Sequence, residues 1–245
     1  MSNLDISIGW CINSESFAIA FDPPSKLIPP KDITANSKGF LSCPAVRKFS
    51  EGIYQVLSPF SLKLRVVENN GQLAIVPVYP FTSLSEEIAR IFVKIEPQET
   101  WNTNTTAVVQ IPSPYVFISD HKILIEQFSP ELSKKSKMNW RVIPGKFDIY
   151  AWQRPLNWAF EWDLSCGDFE IRAGEPQYNI RFIPQEQPIE KCKITLEKVE
   201  LNKSIRERLA LTRDVAKIKR GTSQLFSKAA QLRENKTFLK NNEDN

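Results

Sequence analysis

The chain has 245 residues and a formal net charge of +4, with 42% hydrophobic and 24% charged residues. That apolar content supports a proper core and excludes wholesale disorder, and no apolar run reaches the roughly 18 residues needed to cross a bilayer. Gly is scarce at 8 and Pro plentiful at 17, and neither a Walker lysine loop nor a GxGxxG motif is present, so nucleotide-phosphate cradles are not indicated.

The N-terminal MSNLDISIGWCINSES has no basic stretch leading into an apolar one, so no secretory leader is expected. Cys11, Cys43, Cys166 and Cys192 form no CxxC pair and read as reduced, buried thiols. The cytoplasm is the expected location. Residues 201–245 carry eleven Lys or Arg against five Asp or Glu, so a near-neutral body precedes a basic tail.

In chain order, Leu4, Ile6 and Ile8 alternate with polar residues and predict a first strand into Trp10. Phe17, Ile19 and Phe21 predict a second. Residues 23–39, with four prolines, read as a surface connection. From 41 to 64 the pattern predicts strand, with Ile53, Gln55 and Leu57 on one face and Tyr54 and Val56 on the other. Leu62, Leu64 and Val66 continue it into Glu68-Asn69-Asn70-Gly71, whose Asn-Gly suits a tight hairpin, and Leu73–Val78 returns.

Residues 83–95 fit either a short helix, with Ser83 and Glu86 as a capping box, or a bulged strand. On the helical reading Ile88, Ile91, Phe92 and Ile95 share a face. Val108–Gln110, Tyr115–Ile118 and Ile123–Phe128 predict further strands, with Asp120-His121 a turn.

Trp140–Pro184 holds four of the six tryptophans and alternates with period two over 147–152, 157–162, 168–172 and 177–183. These four runs predict antiparallel strands that pair or face each other. Cys192–Val199 predicts one more strand. The period then changes to three and four: Ile205, Leu209, Leu211, Val215 and Ile218, then Leu225, Ala229 and Leu232. Two helices follow, about 203–219 and 223–234, with Asn202 and Thr222 as N-caps. The expected fold is mainly β, a jelly-roll-like antiparallel β-sandwich with two C-terminal α-helices. Its expected parts are a sandwich domain over 1–200, a helical appendix over 201–240 and a disordered tail over 241–245.

Catalytic constellations are weak. The single histidine, His121, cannot supply the two or three imidazoles of an oxygenase centre, and no metal site or cofactor is expected. Cys43 and Cys166 lack a neighbouring base and read as small apolar fillers. Glu161, with Asp163 and Glu170, hints at acid–base carboxylates, but cross-strand pairing of Glu161 with Arg154 or Arg181 is the favoured reading. Trp158, Phe160 and Trp162 read as the inner face of a sheet in preference to a stacking platform. The basic helices admit a nucleic-acid partner, but Glu207 and Asp214 interrupt the run and a solvated or protein-docking face is favoured.

The blocks Trp152, Arg154, Pro155, Asn157, Phe160, Glu161 and Gly174, Pro176, Phe182 resemble an uncharacterised family of proteins from bacteria and tailed phages. So do CPAV at Cys43–Val46, SPFSLKL at Ser58–Leu64 and TSQLFSKAAQLR at Thr222–Arg233, although Ser61 stands where the family places an acid. The resemblance implies a β-sandwich body with a helical appendix in a bacterium or phage-infected host, and no known activity.

The favoured expectation is a non-enzymatic binding or structural module. Its partner is a protein or a second copy, met through Ile205, Leu209, Leu225, Phe226 and Leu232 on the C-terminal helices, with no membrane partner. The alternative is an enzyme or small-ligand protein with a pocket at Trp152, Arg154, Asn157 and Glu161.

Overall fold

Strands form here where branched and aromatic side chains recur at every second position. The computed structural model describes residues 4–13, 21–27, 43–69, 72–132 and 138–216, with side chains in the last helix described to Ala210. In chain order these begin with β1 (Leu4–Ile12), β2 (Ser25–Lys26), α1 (Pro44–Ser50), β3 (Ile53–Leu57), β4 (Leu62–Asn69) and β5 (Gln72–Pro77). Next come α2 (Glu86–Phe92), β6 (Lys94–Ile95), β7 (Thr106–Pro112), β8 (Tyr115–Ser119), β9 (Ile123–Phe128) and β10 (Trp140–Val142). The chain continues with β11 (Gly145–Asp148), β12 (Asn157–Asp163), β13 (Phe169–Ile171), β14 (Pro176–Pro184), β15 (Cys192–Lys198) and α3 (Lys203–Ala216). The protein is mainly β, as expected.

Four sheets are present among these residues, ordered β15-β1-β8, β10-β12-β7-β6, β11-β9-β14-β3-β2 and β13-β4-β5. All pairings are antiparallel except β1 with β15, where Leu4 lies opposite Cys192 and Trp10 opposite Lys198. Inner faces of all four sheets share one core: Ile6 and Phe117 from the first, Trp158 and Phe160 from the second, Ile125 and Tyr178 from the third, Leu64 and Phe169 from the fourth. Phe169 bridges two sheets, stacking on Phe160 with ring centroids 4.7 Å apart.

The hairpin of β4 and β5 forms as its Asn-Gly turn predicts, with Asn69 opposite Gln72. Other expectations are corrected. The four aromatic runs of 147–183, expected to pair or face each other, do not pair, although β12 and β13 meet across the core through Phe160 and Phe169. β11 and β14 flank β9, β12 lies between β10 and β7, and β13 joins β4. Alternation marks a strand as half-buried but carries no address for its neighbour.

The strand expected over 147–152 stops at Asp148. Its carboxylate Oδ1 accepts from the Tyr150 and Ala151 amides, 2.9 and 3.1 Å, and so turns the chain. Pro155 lies two residues before β12. Gly174, at φ 81°, makes the expected turn before Pro176, but the turn carries the chain between two sheets rather than back along one.

Residues 44–50, read as part of a strand region, are helical with Pro44 in the first turn. At residues 83–95 the helix wins over the bulged strand, but its cap is Ser85, whose hydroxyl accepts from the Ile88 amide at 3.3 Å. Ser83 instead accepts from the Ser61 amide at 3.0 Å, tying the helix entry to the start of β4. Its core contacts come from Ala89 and Phe92, while Ile91 is exposed.

All four cysteines are free, but only Cys11 is fully buried, with its thiol pushed up to about 11 by desolvation. Cys43 and Cys166 are exposed rather than core fillers, because one caps α1 and the other ends a surface turn. Of the second expected strand, Phe17 and Ile19 lie outside the described residues, as does the second C-terminal helix with Leu225, Phe226 and Leu232, while Phe21 is not in a strand and packs edge-on against Tyr115.

Candidate functional site

β12 carries the residues that sequence reasoning singled out, and its alternation decides where they go. Trp158, Phe160 and Trp162 are 0% exposed and point into the core, so the aromatic series is a packing layer and not a stacking platform. Trp140 from β10 meets Trp158 edge-on at 5.4 Å, and the Trp162 Nε1–H donates to the Gly167 carbonyl at 3.0 Å.

Glu161 projects to the opposite face, yet is only 6% exposed. Its Oε2 accepts from Arg141 Nε at 2.6 Å and its Oε1 from Asn102 Nδ2. Arg141 is the cross-strand neighbour of Glu161 in the β10–β12 register, so it displaces Arg154 and Arg181 as the expected partner. With one oxygen engaged by Arg141 and the other by Asn102, this carboxylate serves as a structural acceptor between β10, β12 and the loop before β7.

The remaining members of the expected pocket do not converge on it. Trp152 is buried in the turn after β11, and Arg154 is exposed, its Nε donating to the Pro155 carbonyl at 3.4 Å. Asn157 donates to Gln110 Oε1 at 3.2 Å. It lies four residues from Glu161 on one extended strand, about 13 Å away. Ile205, expected at an oligomer interface, is 2% exposed and packs against Cys11, Val116 and Ile118, with Leu209 beside it. The first half of that apolar stripe is therefore covered by the outer face of β1 and β8. Asn202 caps the helix as expected, its Oδ1 accepting from the Ile205 amide at 2.9 Å.

Two other polar groupings have structural roles. Asp163 accepts from the Ser165 amide and hydroxyl at 3.0 and 2.6 Å and from the Cys166 thiol at 3.4 Å. The Ser165 hydroxyl, above all, holds the Asp163 carboxyl below its ordinary range. On the outer face of β4 and β13, Arg65 grips Asp168 with Nε and Nη2 at 3.0 and 2.7 Å, and Lys63 bridges Asp168 and Glu170 at 3.6 and 3.5 Å. Arg65 holds Asp168 below the usual carboxylate range. Among the described residues no three His, Cys, Asp or Glu side chains gather closely enough to hold a metal ion.

The grouping that sequence reasoning missed lies on the outer face of β14. Tyr178, Ile180 and Phe182 face the core, so Asn179 and Arg181 face the other way, while Gln177 is the extra residue where the β14–β3 register shifts. Alternation alone reads these three as solvent-facing. Instead Gln177 and Asn179 are buried, and α1 reaches this face through Phe49. Gln177 Nε2 donates to Ser58 Oγ at 3.2 Å, and Arg181 Nη2 to the Phe49 carbonyl at 2.7 Å. The Arg181 guanidinium carbon sits 4.7 Å from the Phe49 ring centre and 5.5 Å from that of Phe128, a cation between two aromatic faces.

No protein-family model matches the chain, and no curated protein matches it.

Proposed function

We propose that the protein is a non-enzymatic binding module, a jelly-roll-like β-sandwich with C-terminal helices, that acts by associating with a second copy of itself. The observation that carries this reading is the open edge of β5. The Val78 amide donates to the Lys63 carbonyl, so Val78, Val76, Ala74 and Gln72 turn their backbone groups toward β4. Leu73, Ile75 and Pro77 therefore turn theirs outward, where no strand among the described residues lies beside them.

From Leu73 to Tyr79 the sequence LAIVPVY has no charged residue, and Leu73 is 51% exposed. Native edges are usually blunted by charge or proline. Here Pro77 removes one outward donor, but the Leu73 and Ile75 amides remain. An antiparallel pairing that sets Leu73 against Ile75 of the second copy, with Ala74 on the two-fold axis, uses both amides in each chain. It asks no donor of Pro77. Such an isologous contact closes on itself and does not propagate.

The enzyme alternative loses its main support, because Glu161 is spent on Arg141 and Asn102 and the tryptophans fill the core. The resemblance of the Trp152–Glu161 block to proteins of bacteria and tailed phages supplies the proposed setting, a bacterial or phage-infected cell. Light scattering across a concentration series tests the reading: the wild-type chain should dimerise, and Leu73→Lys should be monomeric with an unchanged circular dichroism spectrum. A wild-type chain that stays monomeric throughout the series overturns it.

A further inference from the structure

The outer face of β14 combines features that a finished packing layer does not. Asn179 is 1% exposed, and its carboxamide makes no hydrogen bond; Oδ1 in particular is sealed from solvent without a donor. Buried amides almost always find partners, and an orphan acceptor inside a fold calls for a donor from outside the chain, a water or a ligand. Gln177, at the register shift one step along the strand, shows the ordinary solution by donating to Ser58.

Arg181, one step the other way, repeats the anomaly with opposite polarity. Its Nε–H is buried with no acceptor, although Nη2 is used by the Phe49 carbonyl. No carboxylate among the described residues forms an ion pair with it. Glu126 lies directly opposite on β9 but pairs with Lys146 at 3.4 Å. The two flanking phenylalanine rings fix the guanidinium plane without meeting its remaining donor. Two unspent groups, an acceptor and a cationic donor, thus sit on alternate residues of one strand, whose Cα atoms are about 7 Å apart.

Both atoms are sealed, so approach requires the side chains at the solvent edge of this face to swing aside. Gln55, the cross-strand neighbour of Asn179 on β3, is partly exposed, and so is Phe49. A ligand entering there meets an anion-seeking N–H at Arg181 and a donor-seeking oxygen at Asn179.

We propose that this face binds a small carboxylic acid bearing an adjacent N–H or O–H donor, its carboxylate on Arg181 Nε and its donor on Asn179 Oδ1. Acylated amino acids, hydroxy acids and the C-terminus of a peptide share that chemistry. The charge selects for the anion, and the carboxamide rejects acids that lack the donor, because its oxygen would then stay buried and unpaired. The proposal is independent of edge pairing at β5, and either can fail without the other.

The test titrates the full chain with N-acetylglycine, with its methylamide, with acetate and with an oligoalanine peptide carrying a free C-terminus, following backbone amide shifts by NMR. Saturable binding of N-acetylglycine is expected, with acetate and the methylamide weaker by about tenfold or more. Binding of the peptide as well identifies a chain-terminus site; its exclusion identifies a site for free small acids. Asn179→Leu should weaken N-acetylglycine by about tenfold or more and raise Tm without ligand, since an apolar group of similar size relieves the orphan oxygen. Arg181→Lys should weaken binding comparably while keeping the charge, which serves as the second variant if Asn179→Leu does not fold. Absence of saturable binding for every probe overturns the proposal, as does binding that neither substitution changes.

Discussion

The inner face of β12 and the outer face of β14 are both buried, yet they are built on opposite principles. On β12, Trp158, Phe160 and Trp162 present apolar area to apolar area, with Trp140 and Phe169 completing the layer. On β14, Gln177 and Asn179 place carboxamides under cover, and beside them Arg181 half-buries a cation. Where residue chemistry and burial agree, the energy goes into the fold. Where they disagree, stability has been given up, and the unspent hydrogen-bonding groups are what a ligand can use. Even the aromatic layer has a small exception, since the Trp158 indole N–H is buried without an acceptor.

The comparison breaks most readily at its apolar end. Trp158→Ala should lower the unfolding free energy by about 3–5 kcal/mol, the usual range for emptying a large buried aromatic site. Urea denaturation followed by circular dichroism reads this directly. A loss no greater than that of a surface substitution would mean the layer is not the centre of the core.

A smaller effect is expected at the polar contact on the opposite side of the same strand. Arg141→Ala leaves the buried Glu161 carboxylate with Asn102 alone and should cost about 1–3 kcal/mol. Combining it with Glu161→Gln should recover part of that loss. A double-mutant cycle that gave strictly additive losses would deny the pairing.

On the β14 face, Phe49→Ala removes one of the two rings over Arg181, and a loss of about 1 kcal/mol is expected, because this contact is partly open to solvent. A loss approaching that of Trp158→Ala would make the two faces energetically alike and erase the distinction drawn between them.

The smallest effect separates both buried faces from the exposed charges of β4 and β13. Asp168 has a depressed carboxyl pKa in the folded state, so its contribution is fully present above the unfolded value of about 4 and is lost as pH falls through the folded value. Arg65→Ala should lower stability at neutral pH slightly and flatten its decline in acid by the same small amount. An acid titration of Tm compares the two proteins, and identical acid limbs would remove the ion pair from the account.

Much of the secondary structure was legible in the amino-acid order because strand alternation and turn chemistry are local. Asn70-Gly71 announced the β4–β5 hairpin, the alternation of 157–162 announced β12 and its inward tryptophans, and Asn202 announced the start of α3. Each of these depends on residues within a few positions of one another. The candidate ligand face was not legible. Gln177, Asn179 and Arg181 read as solvent-facing, and nothing within β14 says that Phe49, more than a hundred residues earlier, will lie over Arg181.

Only the tertiary structure decided which strands became neighbours. The aromatic runs of 147–183 share a sequence pattern yet belong to three different sheets, since hydrogen-bond partners are chosen by the packing of the whole chain. The same long-range choice gave Glu161 to Arg141 rather than Arg154, and covered Ile205 with β1 and β8. Local order determines which face of an element seeks burial. Only the assembled chain determines what buries it, because that depends on segments far apart in sequence.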